Sequence, residues 1–328
     1  MLNHEIYMNR CLQLAKNGLG SVSPNPMVGC VIVCDDKIIG EGYHQKYGEA
    51  HAEVNAINAV EDKSLLSKCT LYVNLEPCAH HGKTPPCADL IIEHNIPKVV
   101  IGCVDANEKV KGKGAQKLIE ANVDVTIGVL EKECIELNKR FFTFHNKKRP
   151  YIILKWAQSN DGCMDKIRDS SEAKINWITQ PETQSLTHLW RSQEDAVLVG
   201  KNTVLNDNPE LTVRAINGNN PIKIVLGQQE SFNLDLNIFK GTHPPIFLDL
   251  KSAKEICYAL YEKEIQSVMV EGGKKTLELF INENLWDEAR ILTGDVTLKD
   301  GLKAPKINGV LENREALGKD TLEIYINA

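Results

Sequence analysis

A histidine, a glutamate and two cysteines in the first hundred residues have the types and spacing of a catalytic zinc site. His51 and Glu53 stand two residues apart in "HAEVNAI", and Cys78 and Cys87 bracket the loop "CAHHGKTPPC". Zinc binds imidazole nitrogen and thiolate sulfur tetrahedrally, and a catalytic site uses three protein ligands and one water. We therefore predict that His51, Cys78 and Cys87 bind the metal, while Glu53 carries a proton from the water to a leaving amine.

The cysteine spacing departs from the common signature of zinc deaminases. That signature is H-x-E followed by P-C-x-x-C, whereas eight residues separate Cys78 from Cys87. A longer loop costs little extra closure entropy. Cys87 also opens an apolar helical run, and a helix N-terminus favours the thiolate form. The departure is therefore compatible with a metal site.

The segments around these residues alternate between strand and helix patterns. Helices are predicted over Glu5–Gly18, Ala50–Val60, Cys87–His94, Gly114–Ala121 and from Glu131 to about Phe144. Strands are predicted in "MVGCVIVC", "KIIGEGY", "CTLYVNL", "KVVIGCV" and "VDVTIGV". This alternation predicts an α/β layered sheet.

The length of the chain predicts two domains. Its 328 residues are about twice the typical length of one domain. The short basic stretch "HNKKRP", residues 145–150, ends in a proline before a new strand, "YIILKWA". We predict domains over 1–146 and 147–328, with a solvated loop inside one domain as the alternative.

Composition narrows the class of protein. A net charge of −6 argues against a nucleic-acid backbone as the main partner. The longest apolar runs have strand length and are too short to cross a bilayer. The ten cysteines are scattered through a long chain, unlike a secreted disulfide framework. We expect a cytoplasmic protein with a small-molecule substrate and no membrane partner.

The second half carries weaker chemical signals. Glu271–Gly273, "EGG", follows an apolar strand and precedes a predicted helix over Thr276–Asn282, so its backbone amides could receive a phosphate. Arg191 and Arg214 could bind a phosphate through paired hydrogen bonds. A plain strand-to-helix turn and solvated arginines remain the alternatives, and these residues alone do not identify a redox enzyme.

Four motifs of the first half resemble the deaminase half of the bifunctional riboflavin-biosynthesis deaminase–reductase family: "SPNPMVGCVIV", "HAEVNAI", "EPCAHHGKTPPC" and "VDANEKVKGKG". The resemblance implies a cytidine-deaminase-like α/β/α layered domain with the longer cysteine spacing. It implies hydrolytic, zinc-dependent removal of the 2-amino group from 2,5-diamino-6-ribosylamino-4(3H)-pyrimidinone 5′-phosphate. It further implies that Asn25 contacts the pyrimidine and that Lys83 and Asn107 lie near the ribose phosphate. Glu108 departs from a proline common in the family.

The motifs "LKWAQSNDG", "WIT", "LWRSQEDAVLVGKNTVLNDNPELTVR" and "VEGGKKTLE" resemble the reductase half of the same family. The resemblance implies a dihydrofolate-reductase-like α/β domain that uses NADPH to reduce the ribosyl group to ribityl, giving 5-amino-6-(5-phosphoribitylamino)uracil. It places on the cofactor side Ala157, Trp177, Thr203, Asp207, Gly273, Lys274, Lys275 and Thr276, with Asp207 also catalytic. It places on the substrate side Arg191, Leu211, Arg214 and Glu271.

Several alternatives remain open at this point. Cys163, Ile175, Asn208 and Gly227 depart from the reductase pattern, so a deaminase with a degenerate reductase half is one alternative. A deaminase acting on a nucleic-acid base is another. A third is a zinc-stabilised scaffold, in which His80 or His81 would close the metal site as a fourth ligand. The family commonly forms homodimers or tetramers, so a homo-oligomer is expected.

Overall fold

The backbone divides into two units between Lys147 and Lys148. The structure is a computed structural model and describes residues 4–79, 85–106, 111–167, 175–241 and 243–327. The predicted linker over 145–150 is shorter than expected, because a helix continues through Lys147 and a strand begins at Tyr151. Among the described residues, no helix is both long and apolar enough to cross a bilayer.

The first unit is built on a mixed sheet with the strand order β2-β1-β3-β4-β5 in its described part. Its strands are β1 (Gly29–Cys34), β2 (Lys37–Tyr43), β3 (Thr70–Leu75), β4 (Lys98–Cys103) and β5 (Asp124–Ile127). Strand β1 is antiparallel to β2 and β3, whereas β3, β4 and β5 are parallel. Every residue of β1 and β3 is buried, as expected for strands covered on both faces.

Helices cover both faces of this sheet. They are α1 (His4–Ala15), α2 (Ala52–Ala59), α3 (Cys87–Glu93), α4 (Lys113–Glu120), α5 (Glu131–Leu137) and α6 (Lys139–Lys147). Neighbouring strand residues alternate between two apolar cores: Ile32 and Leu71 pack on one side, and Val31 and Tyr72 on the other. The α/β/α layering predicted from the sequence is confirmed.

A long-range hydrogen bond interrupts the single helix predicted from Glu131 to about Phe144. The chain leaves helical geometry at Asn138, between α5 and α6. The Asn138 side chain accepts a hydrogen bond from the Met27 backbone N–H at 2.8 Å and donates one to the Met27 carbonyl at 2.9 Å. The prediction of one helix was wrong because the buried Asn138 amide binds the backbone N–H and carbonyl groups of Met27, in a loop that is distant in sequence.

The second unit contains a larger sheet with the order β10-β9-β8-β11-β6-β12-β15-β14 in its described part. Its strands are β6 (Tyr151–Ser159), β8 (Ala196–Gly200), β9 (Ile222–Leu226), β10 (Ile246–Leu248), β11 (Ser267–Gly272), β12 (Glu288–Gly294), β14 (Val310–Leu317) and β15 (Asp320–Ile326). A separate pair joins β7 (Cys163–Lys166) to β13 (Gly301–Lys303). The helices are α7 (Pro181–Gln193), α8 (Lys201–Asp207), α9 (Ala253–Tyr261) and α10 (Lys274–Asn282).

The parallel strands of this sheet place their carboxyl ends at one edge. Strands β8, β11 and β6 are parallel neighbours, and α8 and α10 begin directly after β8 and β11. In open α/β sheets, ligands bind outside the carboxyl ends of the strands. The predicted helix after "EGG" begins at Lys274 rather than Thr276, so its first backbone amides lie at this edge.

Candidate functional site

The three predicted zinc ligands come together at the starts of two helices. His51 is the residue before α2, and Cys87 is the first residue of α3. The His51 Nδ1 atom lies 3.3 Å from the Cys87 sulfur and 3.7 Å from the Cys78 sulfur. All three candidate ligand atoms lie within 4.8 Å of one another.

These separations fit a tetrahedral zinc ion. With Zn–N about 2.0 Å and Zn–S about 2.3 Å, a tetrahedral angle places nitrogen and sulfur about 3.5 Å apart. Hydrogen bonding from the Cys87 side chain, together with that from His51, lowers the pKa of Cys78 to about 4. Zinc binds the thiolate form, so Cys78 favours the state that the metal requires. The hydrogen bond to Cys78, and then burial, raise the pKa of Cys87 despite its place at a helix start, so Cys87 would give up its proton on binding the metal.

Glu53 lies in the first turn of α2 and is only 3% exposed. Burial, and then the negative charge of Cys78, raises the pKa of Glu53 to about 7. A carboxyl group with such a pKa accepts and releases a proton near neutral pH, which is what a general acid–base catalyst needs. Glu53 therefore has an environment that suits a proton carrier, and this role stays a prediction.

Close packing of α2 on the edge strand β2 sets the position of His51 and Glu53. A Cβ atom at Gly42 would lie 2.4 Å from the Ala56 backbone nitrogen and 2.6 Å from the Ala52 carbonyl oxygen. Only glycine permits this approach. The Asn55 side chain adds a 2.9 Å hydrogen bond from its amide to the Tyr43 carbonyl.

The predicted substrate contact Asn25 pairs with a histidine that sequence reasoning missed. The His44 Nε2 atom lies 3.0 Å from the Asn25 amide nitrogen, and its Nδ1 atom lies 3.0 Å from the Ala50 carbonyl oxygen. A proton on Nδ1 satisfies that carbonyl, so Nε2 accepts from the Asn25 amide and leaves the Asn25 oxygen free of this contact. Burial lowers the pKa of His44, in keeping with a neutral ring.

Some of the sequence predictions fall outside the described residues. These are the substrate contacts Lys83 and Asn107, the rival ligands His80 and His81, and the altered position Glu108. The roles assigned to these residues stay predictions.

The predicted reductase residues line one cavity of about 970 Å³ in the second unit. It contains every residue predicted on the cofactor side, namely Ala157, Trp177, Thr203, Asp207, Gly273, Lys274, Lys275 and Thr276. It also contains every residue predicted on the substrate side, namely Arg191, Leu211, Arg214 and Glu271.

Two helix N-termini border this cavity at close range. A Cβ atom at Gly200, the residue before α8, would lie 2.5 Å from the hydroxyl oxygen of Thr276 in α10. Glycine at this position lets the first turns of α8 and α10 approach each other. Unpaired backbone N–H groups at helix N-termini attract anionic phosphates.

The two arginines of the cavity have different surroundings. The Arg191 guanidinium is bound to Glu271 by two hydrogen bonds, of 2.6 and 2.8 Å. Arg214 is half exposed, and its Nη1 atom lies 3.1 Å from a carboxylate oxygen of Glu210. Arg214 is thus the more accessible of the two cations, because the Arg191 guanidinium is paired with the Glu271 carboxylate.

Two further titratable side chains line the cavity and were missed from the sequence. Burial lowers the pKa of Lys155 below its ordinary 10.5, although the charge of Glu271 raises it. His188 accepts a hydrogen bond from the Arg214 backbone N–H at 3.1 Å. Lys155 could have been found from the sequence, because a lysine inside the apolar strand "YIILKWA" is unusual, and lysine is rarely buried without a partner.

Two of the altered reductase positions, Cys163 and Asn208, have structural roles. The Cys163 backbone N–H donates to the Ser159 hydroxyl at 2.9 Å, and the Cys163 side chain is buried. Asn208 has a φ of 43°, which asparagine tolerates better than most residues. Its side-chain oxygen also accepts the Asn237 backbone N–H at 2.7 Å. Ile175 lines the cavity, and Gly227 has a φ of 142°.

Comparisons with known proteins match both units. Residues 1–103 match the family described as "Cytidine and deoxycytidylate deaminase zinc-binding region", and residues 150–301 match the "RibD C-terminal domain". The riboflavin biosynthesis protein RibD of Aquifex aeolicus is 39% identical over 319 residues, covering 90% of this chain and 88% of that protein.

Solved structures match over nearly the whole length. A crystal structure from Thermotoga maritima, described as a diaminohydroxyphosphoribosylaminopyrimidine deaminase/5-amino-6-(5-phosphoribosylamino)uracil reductase, is 36% identical with a TM-score of 0.88. Acinetobacter baumannii RibD is 31% identical with a TM-score of 0.91. Each comparison covers 99% of both chains. The chain therefore belongs to the RibD family of riboflavin-biosynthesis enzymes, in which a zinc-dependent deaminase and an NADPH-dependent reductase share one polypeptide.

Proposed function

We propose that this chain catalyses two successive steps of riboflavin biosynthesis. The first is hydrolytic deamination of 2,5-diamino-6-ribosylamino-4(3H)-pyrimidinone 5′-phosphate, and the second is reduction of the ribosyl group to ribityl with NADPH. The observation that carries the proposal is the group of His51, Cys78 and Cys87 within 4.8 Å, on the same chain as the reductase cavity.

In the deaminase step, His51, Cys78 and Cys87 would hold the zinc ion. When bound there, zinc lowers the pKa of a water molecule and so supplies the nucleophile. Glu53 would take a proton from the attacking water as the water oxygen bonds to the ring carbon, and would deliver that proton to the 2-amino group, which leaves as ammonia as its own bond to this carbon breaks. Glu53 lies beside this ligand set in the first turn of α2 and is buried from bulk water, so it can hold the proton between the two transfers.

Substrate recognition in this unit falls to Asn25, with Lys83 and Asn107 near the ribose phosphate. The support for Asn25 is its contact with His44, which holds the amide group in one orientation. An oriented amide can distinguish hydrogen-bond donors from acceptors on a pyrimidine edge. Lys83 and Asn107 rest on the family resemblance alone.

In the reductase step, NADPH supplies a hydride to C1′ of the ribosyl group. The cofactor side is formed by Ala157, Trp177, Thr203, Asp207 and the run Gly273, Lys274, Lys275 and Thr276. The paired starts of α8 and α10 support this arrangement, because their backbone amides suit the cofactor phosphates. Trp177 is 62% exposed and offers an aromatic face at the cavity.

The substrate side is formed by Arg191, Leu211, Arg214 and Glu271, and the family resemblance also assigns Asp207 to catalysis. Arg214 would bind the substrate phosphate, because its guanidinium is half exposed and lines the cavity. Arg191 would hold the Glu271 carboxylate in position, because the two side chains form an ion pair. The two residues thereby have separate tasks.

A paired assay tests the proposal. Purified protein is given the diaminopyrimidine substrate and NADPH, and ammonia release and NADPH oxidation are both recorded. We expect both signals from one preparation. Ammonia release without NADPH oxidation would support a deaminase with a degenerate reductase half, and absence of both would refute the proposal.

We further propose that residues 1–146 form the deaminase domain and residues 147–328 the reductase domain. Expressed separately, each fragment should keep its own activity, as independently folding domains do. Two inactive fragments beside an active full chain would contradict this division.

We also propose that the protein is a cytoplasmic homo-oligomer, a dimer or a tetramer. None of its ten cysteines is paired in a disulfide, which suits a reducing compartment. Strand β14 is an exposed sheet edge with Val310 and Leu311 at the surface, a type of edge that pairs with another chain. Light scattering on the purified protein measures the oligomeric state.

A further inference from the structure

A buried glutamate stands between strand β3 and the Cys78 ligand. Glu76 is 4% exposed, and both of its carboxylate oxygens accept backbone hydrogen bonds. The donors to Oε1 are Gly114 at 2.8 Å and Ala115 at 3.0 Å, and the donors to Oε2 are Gly112 at 2.9 Å and Asp105 at 3.2 Å. Four donors on two oxygens fix the position and the rotation of this carboxylate.

Helix α4 depends on Glu76 for its N-terminal cap. The residue before the helix is Gly112, which has no side chain to accept a hydrogen bond. The first N–H groups of a helix have no partners within the helix, and a negative charge near them is favourable. Glu76 supplies the missing acceptor from a position far away in the sequence, so α4 is tied to the end of β3.

The chain that follows Glu76 is held on both sides. A Cβ atom at Gly114 would lie 1.8 Å from the Pro77 carbonyl oxygen, so α4 packs directly against this segment. The Cys78 carbonyl accepts a hydrogen bond from the Ala88 N–H at 3.1 Å, at the start of α3. The backbone that carries the Cys78 sulfur is therefore clamped between α3 and α4.

We propose that Glu76 is a positioning residue for the deaminase site, which fixes the Cys78 sulfur toward His51 and Cys87. The inference deepens the proposed function and rests on the proposed ligand set. Glu76 itself does not touch the metal or the substrate in this role. Groups that orient a metal ligand from outside the ligand set typically contribute about 10- to 100-fold to metal affinity or activity.

The variant Glu76→Gln tests the inference. Glutamine has nearly the same shape, but its NH₂ group would face one pair of the backbone N–H donors, so that pair loses its acceptor. We expect zinc affinity, measured by competition with a chromophoric chelator, to fall at least about tenfold. In the cobalt(II)-substituted protein we expect altered thiolate-to-metal absorption bands, which a purely stabilising role would leave unchanged.

Glu283→Gln is the matched control. Glu283 accepts hydrogen bonds from the backbone N–H groups of Ala253 at 2.8 Å and Lys254 at 3.0 Å, at the start of α9 in the second unit. The substitution removes the same type of contact where no proposed zinc ligand follows. We expect wild-type zinc affinity and wild-type cobalt bands in this variant. Limited proteolysis with the fragments identified by mass spectrometry measures whether the first unit of Glu76→Gln is folded.

The outcomes separate this inference from the proposed function. A wild-type protein that binds no zinc would overturn the ligand set itself. A zinc-binding wild type with a Glu76→Gln variant of equal affinity and equal cobalt bands would overturn only the role of Glu76. If Glu76→Gln does not fold, Glu76→Asp decides, because it keeps the negative charge but shortens the side chain, which draws the carboxylate away from its four backbone N–H donors. Unchanged zinc affinity and bands in that folded variant would overturn the inference.

Discussion

Arg191 and Glu271 form a two-point ion pair inside the reductase cavity. The Nε and Nη2 atoms of Arg191 lie 2.6 and 2.8 Å from the two carboxylate oxygens of Glu271. The two side chains are 11% and 10% exposed. A third donor, Nη1, binds the Thr212 carbonyl at 3.2 Å. The pair joins helix α7 to the end of strand β11 and so orders the wall of the cavity.

Glu271→Gln should destabilise the second unit strongly. Removing one partner of a buried ion pair leaves the other charge uncompensated, which costs about 3–5 kcal/mol of unfolding free energy. Urea unfolding monitored by tryptophan fluorescence measures the change. Glu210→Gln is the control, because Glu210 pairs with the half-exposed Arg214, where about 1 kcal/mol or less is expected. Equal losses in the two variants would contradict the prediction.

The same pair predicts a pH dependence of stability. Burial alone would raise the pKa of Glu271, but the charge and hydrogen bonds of Arg191 outweigh it and lower the pKa below its ordinary 4.5. A carboxyl group with a lowered folded-state pKa contributes stability that is present above pH 4.5 and lost as the pH falls through the folded-state value. The unfolding free energy of Glu271→Gln should therefore fall less steeply below this pH than that of the wild type. Equal slopes of unfolding free energy against pH in the two proteins would contradict this prediction.

Glu53→Gln should separate deamination from metal binding. Glutamine preserves the size of the side chain but cannot carry the proton, so we expect the deaminase kcat to fall by about 10²- to 10⁴-fold. Zinc content should stay at the wild-type level, because Glu53 lies outside the group of three ligand atoms. Reductase turnover on the deaminated substrate serves as the control. A variant that deaminates at the wild-type rate would remove Glu53 from its role.

The layered fold of the first unit could be predicted because its signal is local. Strands such as β1 and β3 are apolar along their whole length, and turn residues separate them from helical patterns. The three zinc ligand candidates could be found for a similar reason, since each stands inside a short motif of chemically distinctive residues.

Features that depend on contacts between distant residues could not be predicted. The break at Asn138 depends on Met27, which is 111 residues away in the sequence. The pairing of His44 with Asn25 depends on where two loops meet, and a single histidine after a strand carries no such information. The C-terminal hairpin of β14 and β15 was missed because β14 is exposed along nearly all of its length and has no apolar alternation.

His44→Ala should weaken substrate binding through Asn25. The lost hydrogen bond is between neutral groups and contributes about 0.5–1.5 kcal/mol, so we expect the deaminase KM to rise by up to about tenfold with zinc retained. The double variant with Asn25→Ala should be no worse than Asn25→Ala alone, because the two residues act as one unit. Additive losses in the double variant would show that His44 acts independently of Asn25.

Deprotonation of Lys155 should cause the loss of reductase activity at alkaline pH. Reduction at C1′ leaves the ribose ring oxygen in need of a proton, and an ammonium group in the cavity can donate one. Burial lowers the pKa of Lys155 below 10.5, so the charged form is lost at a lower pH than for an exposed lysine. We expect Lys155→Met to lose about 10²- to 10⁴-fold in reductase kcat, with deaminase activity unchanged.

The pH profile of Lys155→Arg distinguishes this role of Lys155 from simple packing. A guanidinium keeps its proton throughout the working range, so the residual reductase activity should no longer fall at alkaline pH. Reductase kcat measured from about pH 6 to about pH 10 in the wild type and in Lys155→Arg provides the comparison. If both proteins lose activity at the same alkaline pH, the titrating group is a different residue. If the alkaline fall is present in the wild type and absent in Lys155→Arg, Lys155 is the titrating group, and the large loss of kcat in Lys155→Arg, whose guanidinium cannot release a proton, assigns it the role of proton donor.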